Sequence, residues 1–235
     1  MAERFTVVIG AGGAPSVEKR GDADALAREA AALADVAGRP WAPALIRHEP
    51  GLLMTARIPG GARDLARLGR DDARRLGAVL REVHAVRATP SGLAAYRERR
   101  AAAADRSLAG TPDAGLARRL ARWPVADGPL AFLHGDLVAA NVLWPPDGGP
   151  VLIDWEFARM GDPAEDLAYL AELNALPDEV IDAVLEGHGM PAAAARVDAW
   201  RGLVAADAAG WYLAHGMVDE AAPLLARARE RAAGE

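Results

Sequence analysis

The spacing of apolar residues along the chain changes near residue 61. Before that point short alternating runs dominate. RFTVVIG (4–10) is β-branched, AGGAP (11–15) is a turn signal and SVEKRG (16–21) returns as a second strand, which predicts a hairpin. Over 22–37 the period lengthens to that of a helix. Leu26, Ala30, Leu33 and Val36 or Ala37 share one face, Asp22 offers an N-cap, and Gly38 stands just past the end. ALIRHEPGLLMTARI (44–58) reads as two further strands around a Glu-Pro-Gly turn, and PGG (59–61) punctuates. Helical spacing then takes over at 71–87, 93–106 and 113–122, and again at 163–175, 177–187, 192–215 and 217–233. Between the two groups lie predicted strands at 130–134, 141–144 and 150–154, with PPDGG (145–149) as a hairpin turn. The pattern predicts an α+β fold. A small antiparallel sheet lobe covers 1–58, a hinge lies near Met54–Gly61, and a larger, mainly helical lobe at 59–235 carries the hairpin.

Composition narrows the class. The 235 residues are 51% hydrophobic, enough for a sizeable core. A formal net charge of -6 argues against a nucleic-acid partner, which would favour a basic surface. The absence of cysteine excludes disulfides and thiolate metal sites. MAERFTVVIG lacks the basic flank and apolar core of a signal peptide, and no apolar run approaches the ~20 residues that cross a bilayer. The expectation is a cytoplasmic protein with no membrane partner.

The chemistry is concentrated in FLHGDLVAANVLW (132–144), which sets His134, Asp136 and Asn141 between apolar runs, and in VLIDWE (151–156), where Asp154 closes a strand. Asp154 follows Asp136 by 18 residues and Asn141 by 13, across the predicted hairpin. A hairpin brings its open ends together, so Asn141 and Asp154 can meet, with Asp136 on the loop just before them. Two carboxylates and an amide oxygen form a hard-oxygen site suited to Mg2+ with phosphate oxygens and water completing the shell.

These blocks, His134-Gly135-Asp136, Asn141-Val142-Leu143, Ile153-Asp154-Trp155-Glu156, Gly161-Asp162-Pro163 and Asp166-Leu167-Ala168, occur in an order and spacing that resemble the aminoglycoside phosphotransferase and choline kinase family of small-molecule kinases. The resemblance spans roughly residues 5–175 and implies a bilobal, protein kinase-like fold. It implies transfer of the γ-phosphate of ATP (or GTP), with Mg2+, to a small-molecule hydroxyl acceptor that is amine- or sugar-like. By the same resemblance Asp136 is the catalytic carboxylate, Asn141 and Asp154 hold Mg2+, and His134 and Asp166 brace the catalytic loop. His134 is expected as a neutral imidazole donating to a backbone carbonyl, and Asp166 is expected to hold the loop through backbone amides. Lys19, the only lysine in the chain, corresponds to the lobe lysine that contacts the α- and β-phosphates, with Glu29 as its partner. Leu52-Leu53-Met54 followed by Thr55-Ala56-Arg57 resembles the hinge, where backbone groups meet the adenine edge and Met54 lines the pocket.

The match departs from the wider kinase pattern at the N-terminus. Gly10, Gly12 and Gly13 stand only six to nine residues before Lys19, which leaves room for one strand. They are expected to form the turn of the first hairpin, giving a truncated N-lobe without its first strand and phosphate-covering loop. An uncovered sheet edge would then be open to a second protomer. The competing reading is a degenerate kinase-like module that binds a nucleotide or metabolite without turnover. Asp162, Glu165, Glu172 and Asp178 could make the acceptor pocket acidic. Trp155, Trp200, Trp211 and Tyr212 could stack on an ammonium or a sugar, although core packing suits most of them better.

Overall fold

A computed structural model describes residues 4–9, 15–121 and 128–233. The glycines expected to turn the first hairpin lie outside the described residues. On either side of them β1 (Arg4–Ile9) and β2 (Pro15–Arg20) pair antiparallel, with Phe5 opposite Lys19 and Val7 opposite Val17. β3 (Leu45–Glu49) and β4 (Leu52–Ala56) are the strands expected around the Glu-Pro-Gly turn. The four make an antiparallel sheet in the order β1-β2-β4-β3, so Lys19 lies on an interior strand and β1 on an edge. Helix α1 (Ala23–Asp35) starts where Asp22 accepts a hydrogen bond from the Ala25 amide, a cap worth about 1 kcal/mol. It buries Leu26, Ala30 and Leu33, and Val36 follows on the same face. Ala37, the alternative at that position, is exposed.

The remainder is built on helices. α2 (Arg70–His84), α3 (Leu93–Ser107), α4 (Leu116–Leu120), α5 (Pro163–Leu173), α6 (Asp178–His188), α7 (Ala194–Ala214) and α8 (Val218–Ala233) follow the predicted periodicity. α4 is shorter than its pattern suggested. Two small antiparallel sheets sit among the helices. One pairs β7 (Leu130–Leu133) with β6 (Ala88–Thr89) and β10 (Arg159–Gly161). The other pairs β8 (Val142–Trp144) with β5 (Gly61–Ala62) and β9 (Val151–Leu152). The β8–β9 ladder, Val142 opposite Leu152 and Leu143 opposite Val151, is the predicted hairpin. β5, β6 and β10 had no counterpart in the sequence pattern.

One continuous apolar cluster runs from Leu26 and Leu33 on α1 through Trp41 and Trp155 to Trp200 on α7. Trp41 is a second tie between the lobes beside the expected hinge. Its ring packs against that of Trp155 at 5.9 Å, its carbonyl accepts from the Leu152 amide, and its indole N–H donates to Glu82 on α2. Among the described residues no helix is long and apolar enough to cross a membrane.

Candidate active site

The loop between β7 and β8 is fixed from three directions. Asp166 projects from the first turn of α5, a helix capped by Asp162 and begun by Pro163. One Asp166 oxygen accepts the Gly135 amide at 2.9 Å and the other the His134 amide at 2.8 Å. His134 is fully buried and works from beneath. Its Nε2 lies 3.0 Å from the Ile153 carbonyl, which can only accept, so Nε2 carries the proton. Nδ1 then accepts the Asp136 amide at 3.2 Å. That is the neutral imidazole expected, and burial pushes its pKa further below the usual value. Asn174, which the sequence did not flag, completes the bracing. It accepts the Ala139 amide at 2.7 Å and donates to the Leu137 carbonyl at 2.8 Å.

The braced loop holds Asp136 in contact with Asn141, which sits at the end of a short 3-10 turn, Ala139–Asn141. The Asn141 Nδ2 donates to the Asp136 carbonyl at 3.0 Å and to its carboxylate at 2.8 Å. Both partners are acceptors, so the amide orientation is forced and its oxygen is the free end. Burial, with the nearby charge of Asp154, raises the Asp136 pKa despite the opposing pull of His134, Asn141 and Arg159.

Across the hairpin, Ile153 donates its amide to the Asn141 carbonyl, and Asp154 follows with φ of 66°. A positive φ is unusual outside glycine, and aspartate is among the residues that tolerate it. The turn aims Asp154 at Lys19, with Nζ to Oδ1 at 2.7 Å. Lys19 also reaches Glu29 on α1 at 3.0 Å and Glu156 at 3.7 Å. Burial alone would depress the lysine pKa, but the three carboxylates outweigh it and hold the ammonium charged. Glu29 is buried too, which raises its pKa against the opposing effect of Lys19.

Lys19, Glu29, Asn141 and Asp154 open onto a cavity of about 420 Å3 between the sheet and the helical part, lined also by Val17, Pro43, Leu53, Thr55 and Ile58. Thr55 is among the lining residues. Met54, which the hinge reading put in the pocket, is not, and that corrects the expectation for its side chain; Arg57 does not line the cavity either. Alternate residues of a strand face opposite ways, so Leu53 and Thr55 on the cavity side turn Met54 to the other. Arg57 is exposed, and its amide donates to the Pro15 carbonyl at 3.0 Å.

A second cavity, about 410 Å3, lies on the other side of the loop between β7 and β8. Gly135, Asp136, Val138, Phe157 and Arg159 form one wall, and Arg100, Tyr169, Asp207, Trp211 and Tyr212 another. Asp207 on α7 accepts from Arg100 at 2.6 Å and from the Tyr169 hydroxyl through the same oxygen. Arg159 donates to Glu165 at 2.9 Å and to the Tyr96 hydroxyl at 3.0 Å. Of the acidic residues expected to colour a pocket, Asp162, Glu165 and Glu172 are instead buried against arginines, and Asp178 is exposed. Trp155 and Trp200 are core, whereas Trp211 and Tyr212 do reach the cavity.

This chain matches, over residues 16–203, the family described as the phosphotransferase enzyme family (APH). The chain belongs to that family. Solved structures agree on the fold of this small-molecule kinase. The choline kinase LicA from Streptococcus pneumoniae superposes with a TM-score of 0.76 at 14% identity, covering 98% of this chain and 90% of that one. The macrolide 2'-phosphotransferase MphH from Brachybacterium faecium gives 0.71 at 21%, covering 95% and 87%. A thermostable mutant of the aminoglycoside phosphotransferase APH(4)-Ia, in ternary complex with ADP and hygromycin B, gives 0.68 at 17%, covering 97% and 93%. A search of curated proteins returns no match. Within this phosphotransferase the loop between β7 and β8 is a shared wall. Asp136 lines one cavity, while Asn141 and Asp154 line the other with Lys19. Among the described residues no group of three or more His, Cys, Asp or Glu side chains could hold a metal. The donor set here is one carboxylate and one amide oxygen, which fits an ion that takes most of its ligands from phosphate and water.

Proposed function

We propose that this chain transfers the γ-phosphate of ATP, with Mg2+, to a hydroxyl group of a small acceptor that also carries an amine. The observation that carries the reading is the shared wall. A nucleotide in the cavity at Lys19 would present its terminal phosphate to Asn141 and Asp154, and an acceptor in the other cavity would present its hydroxyl to Asp136. Asn141 engages one Asp136 oxygen, which leaves the other to accept the hydroxyl proton or orient the oxygen for attack. Asn141 and Asp154 would hold the Mg2+, which when bound neutralises charge on the transferring phosphoryl group. Lys19, a flexible point charge, would contact the other phosphates.

The amine follows from the chemistry of the second cavity. Its two arginines are already paired, Arg100 with Glu165 and Asp207 and Arg159 with Glu165. They offer little to an anionic acceptor. Among the described residues Asp207 has one oxygen engaged, by Arg100 and Tyr169, which leaves the other to meet an ammonium group. Phe157 and Trp211, each about two-fifths exposed, add aromatic faces that attract a cation by about 0.5–2 kcal/mol.

Two measurements test the reading. MgATP should raise the melting temperature more than ATP alone, and Asp154→Asn should remove the difference. Binding only to the folded state adds about 2.7 kcal/mol of stability at a hundredfold excess over Kd. Equal shifts with and without Mg2+ in the wild type would sink the metal assignment. ADP release measured over a panel of hydroxylated amines and neutral alcohols should show turnover with the amines. Asp207→Asn should raise their KM about tenfold, the value of one modest charged contact at roughly 1.4 kcal/mol, while leaving neutral acceptors unchanged. MgATP binding without ADP release for any acceptor would return the chain to the class of binding modules.

A further inference from the structure

The catalytic loop hangs on Asp166, and Asp166 has a third partner that the reaction does not use. His84, at the C-terminal end of α2, places Nε2 3.1 Å from the Asp166 oxygen that also takes the His134 amide. The other His84 nitrogen, Nδ1, lies 2.7 Å from Nε2 of His188 on α6. Both rings are buried. The backbone makes this meeting unavoidable. A Cβ on Gly77 would stand 2.0 Å from the Val184 carbonyl oxygen and 2.8 Å from the His188 nitrogen, and one on Gly187 would stand 2.0 Å from the Arg74 carbonyl oxygen. α2 and α6 therefore cross in direct backbone contact at two glycines, and the histidines lie beside that crossing.

The direction of the proton chain can be assigned. The Asp166 pKa is held low, since burial is outweighed by its bond to His84 and by the nearby His84, His134 and Arg159. An ionised carboxylate only accepts, so His84 Nε2 donates to it, and in a neutral ring His84 Nδ1 is then a lone pair. His188 Nε2 must then donate to that lone pair, leaving His188 Nδ1 as a buried acceptor with no partner among the described residues. The reverse order would set a lone pair against the carboxylate and bury an unpaired N–H, the costlier defect. Burial, with His84 and Arg81 nearby, lowers the His188 pKa to about 4, so that ring stays neutral at pH 7.

We propose that His84 is a positioning residue for phosphoryl transfer: by donating to Asp166, with His188 fixing its tautomer, it locks the carboxylate that suspends the His134–Asp136 backbone. His84 touches no substrate. Its effect passes through the placement of Asp136, and the proposal rests on the reading of that loop as catalytic.

The test uses the full chain as wild type, His84→Leu, His84→Gln and Asp136→Ala, assayed for ADP release at saturating MgATP and acceptor. His84→Leu should lower kcat by about 10- to 100-fold, the size of effect that a small misplacement of a catalytic group produces, with both KM values little changed. His84→Gln carries its amide nitrogen where the imidazole has Nε2, and should recover most of the loss. A folded His84→Leu with wild-type kcat overturns the proposal, as does an equal loss in His84→Gln. If His84→Leu does not fold, long-range 15N–1H correlations of the wild-type imidazoles decide the matter. The chain has five histidines, and His84 and His188 should both carry their proton on Nε2. An Nδ1–H tautomer at His84 overturns the assignment. Equal ADP release by wild type and Asp136→Ala would bring down the catalytic reading and this proposal together. An inactive Asp136→Ala beside an unimpaired His84→Leu removes this proposal alone.

Discussion

Replacing Asp136 with alanine is expected to lower kcat by about a thousandfold, the middle of the range for a positioned acid–base group, while leaving MgATP binding close to wild type. The asymmetry follows from the two cavities. Asp136 lines the one that would take the acceptor, whereas Lys19, Asn141 and Asp154 line the other. Alanine removes the carboxylate that the loop between β7 and β8 presents to the second cavity but keeps the backbone that His134 and Asp166 hold. It also frees the Asn141 side chain from one of its two bonds to residue 136, so a small change in nucleotide affinity, about threefold or roughly 0.7 kcal/mol, is expected. Single-turnover phosphoryl transfer gives the first quantity and calorimetric titration with MgATP the second. Retained turnover would remove Asp136 from the chemistry. A loss of MgATP binding as large as the loss of kcat would show that the loop does not separate two functions.

What the sequence disclosed, and what it hid, follows the reach of the signals involved. The Lys19–Glu29 pair, the neutral His134 and the Asp166 bonds to loop amides were expected only through the family resemblance, not from spacing or periodicity. The hairpin was legible from the residues themselves, since PPDGG separates two apolar runs. The second cavity was not. Arg100, Tyr169 and Asp207 come from three helices, and neither periodicity nor charge along one helix says which residues of another will face it. The acidic residues 162, 165 and 172 misled for a related reason. A carboxylate on an arginine-rich chain reads alike whether solvated or buried under a guanidinium, and only packing showed the latter. Met54 is a failure of parity. The strand was placed correctly, but a register of one residue decides which face a side chain takes. β5, β6 and β10 are two or three residues long, too short for any alternation to register.

Substituting Gly135 with alanine should be among the most destabilising single changes in the chain, at about 2–5 kcal/mol. Two costs combine. Gly135 has φ of 84°, a left-handed conformation that costs a residue with a Cβ about 1–2 kcal/mol. The new Cβ would also stand 2.2 Å from Arg159 Nη1 and 2.3 Å from the Phe157 carbonyl oxygen, and overpacking of this kind costs about 1–3 kcal/mol or more. Neither neighbour can yield freely. The Phe157 carbonyl is main chain, and Arg159 is tied to Glu165 and Tyr96. At about 2–4 °C per kcal/mol for a chain of this size, the melting temperature should fall by roughly 10 °C. Gly38→Ala is the matched control. Its φ of 77° is nearly the same, but nothing lies within 4 Å of the added Cβ, so only the conformational cost of about 1–2 kcal/mol should appear. Urea unfolding of the two variants therefore isolates the steric part. Whatever Gly135→Ala remains folded should also transfer phosphate poorly, because the residue that must move is bonded on one side to Asp166 and on the other leads directly into Asp136. Equal destabilisation of the two variants would mean that the loop can shift to admit a methyl group, and a loop with that freedom could not hold Asp136 at a fixed distance from the Asn141 amide.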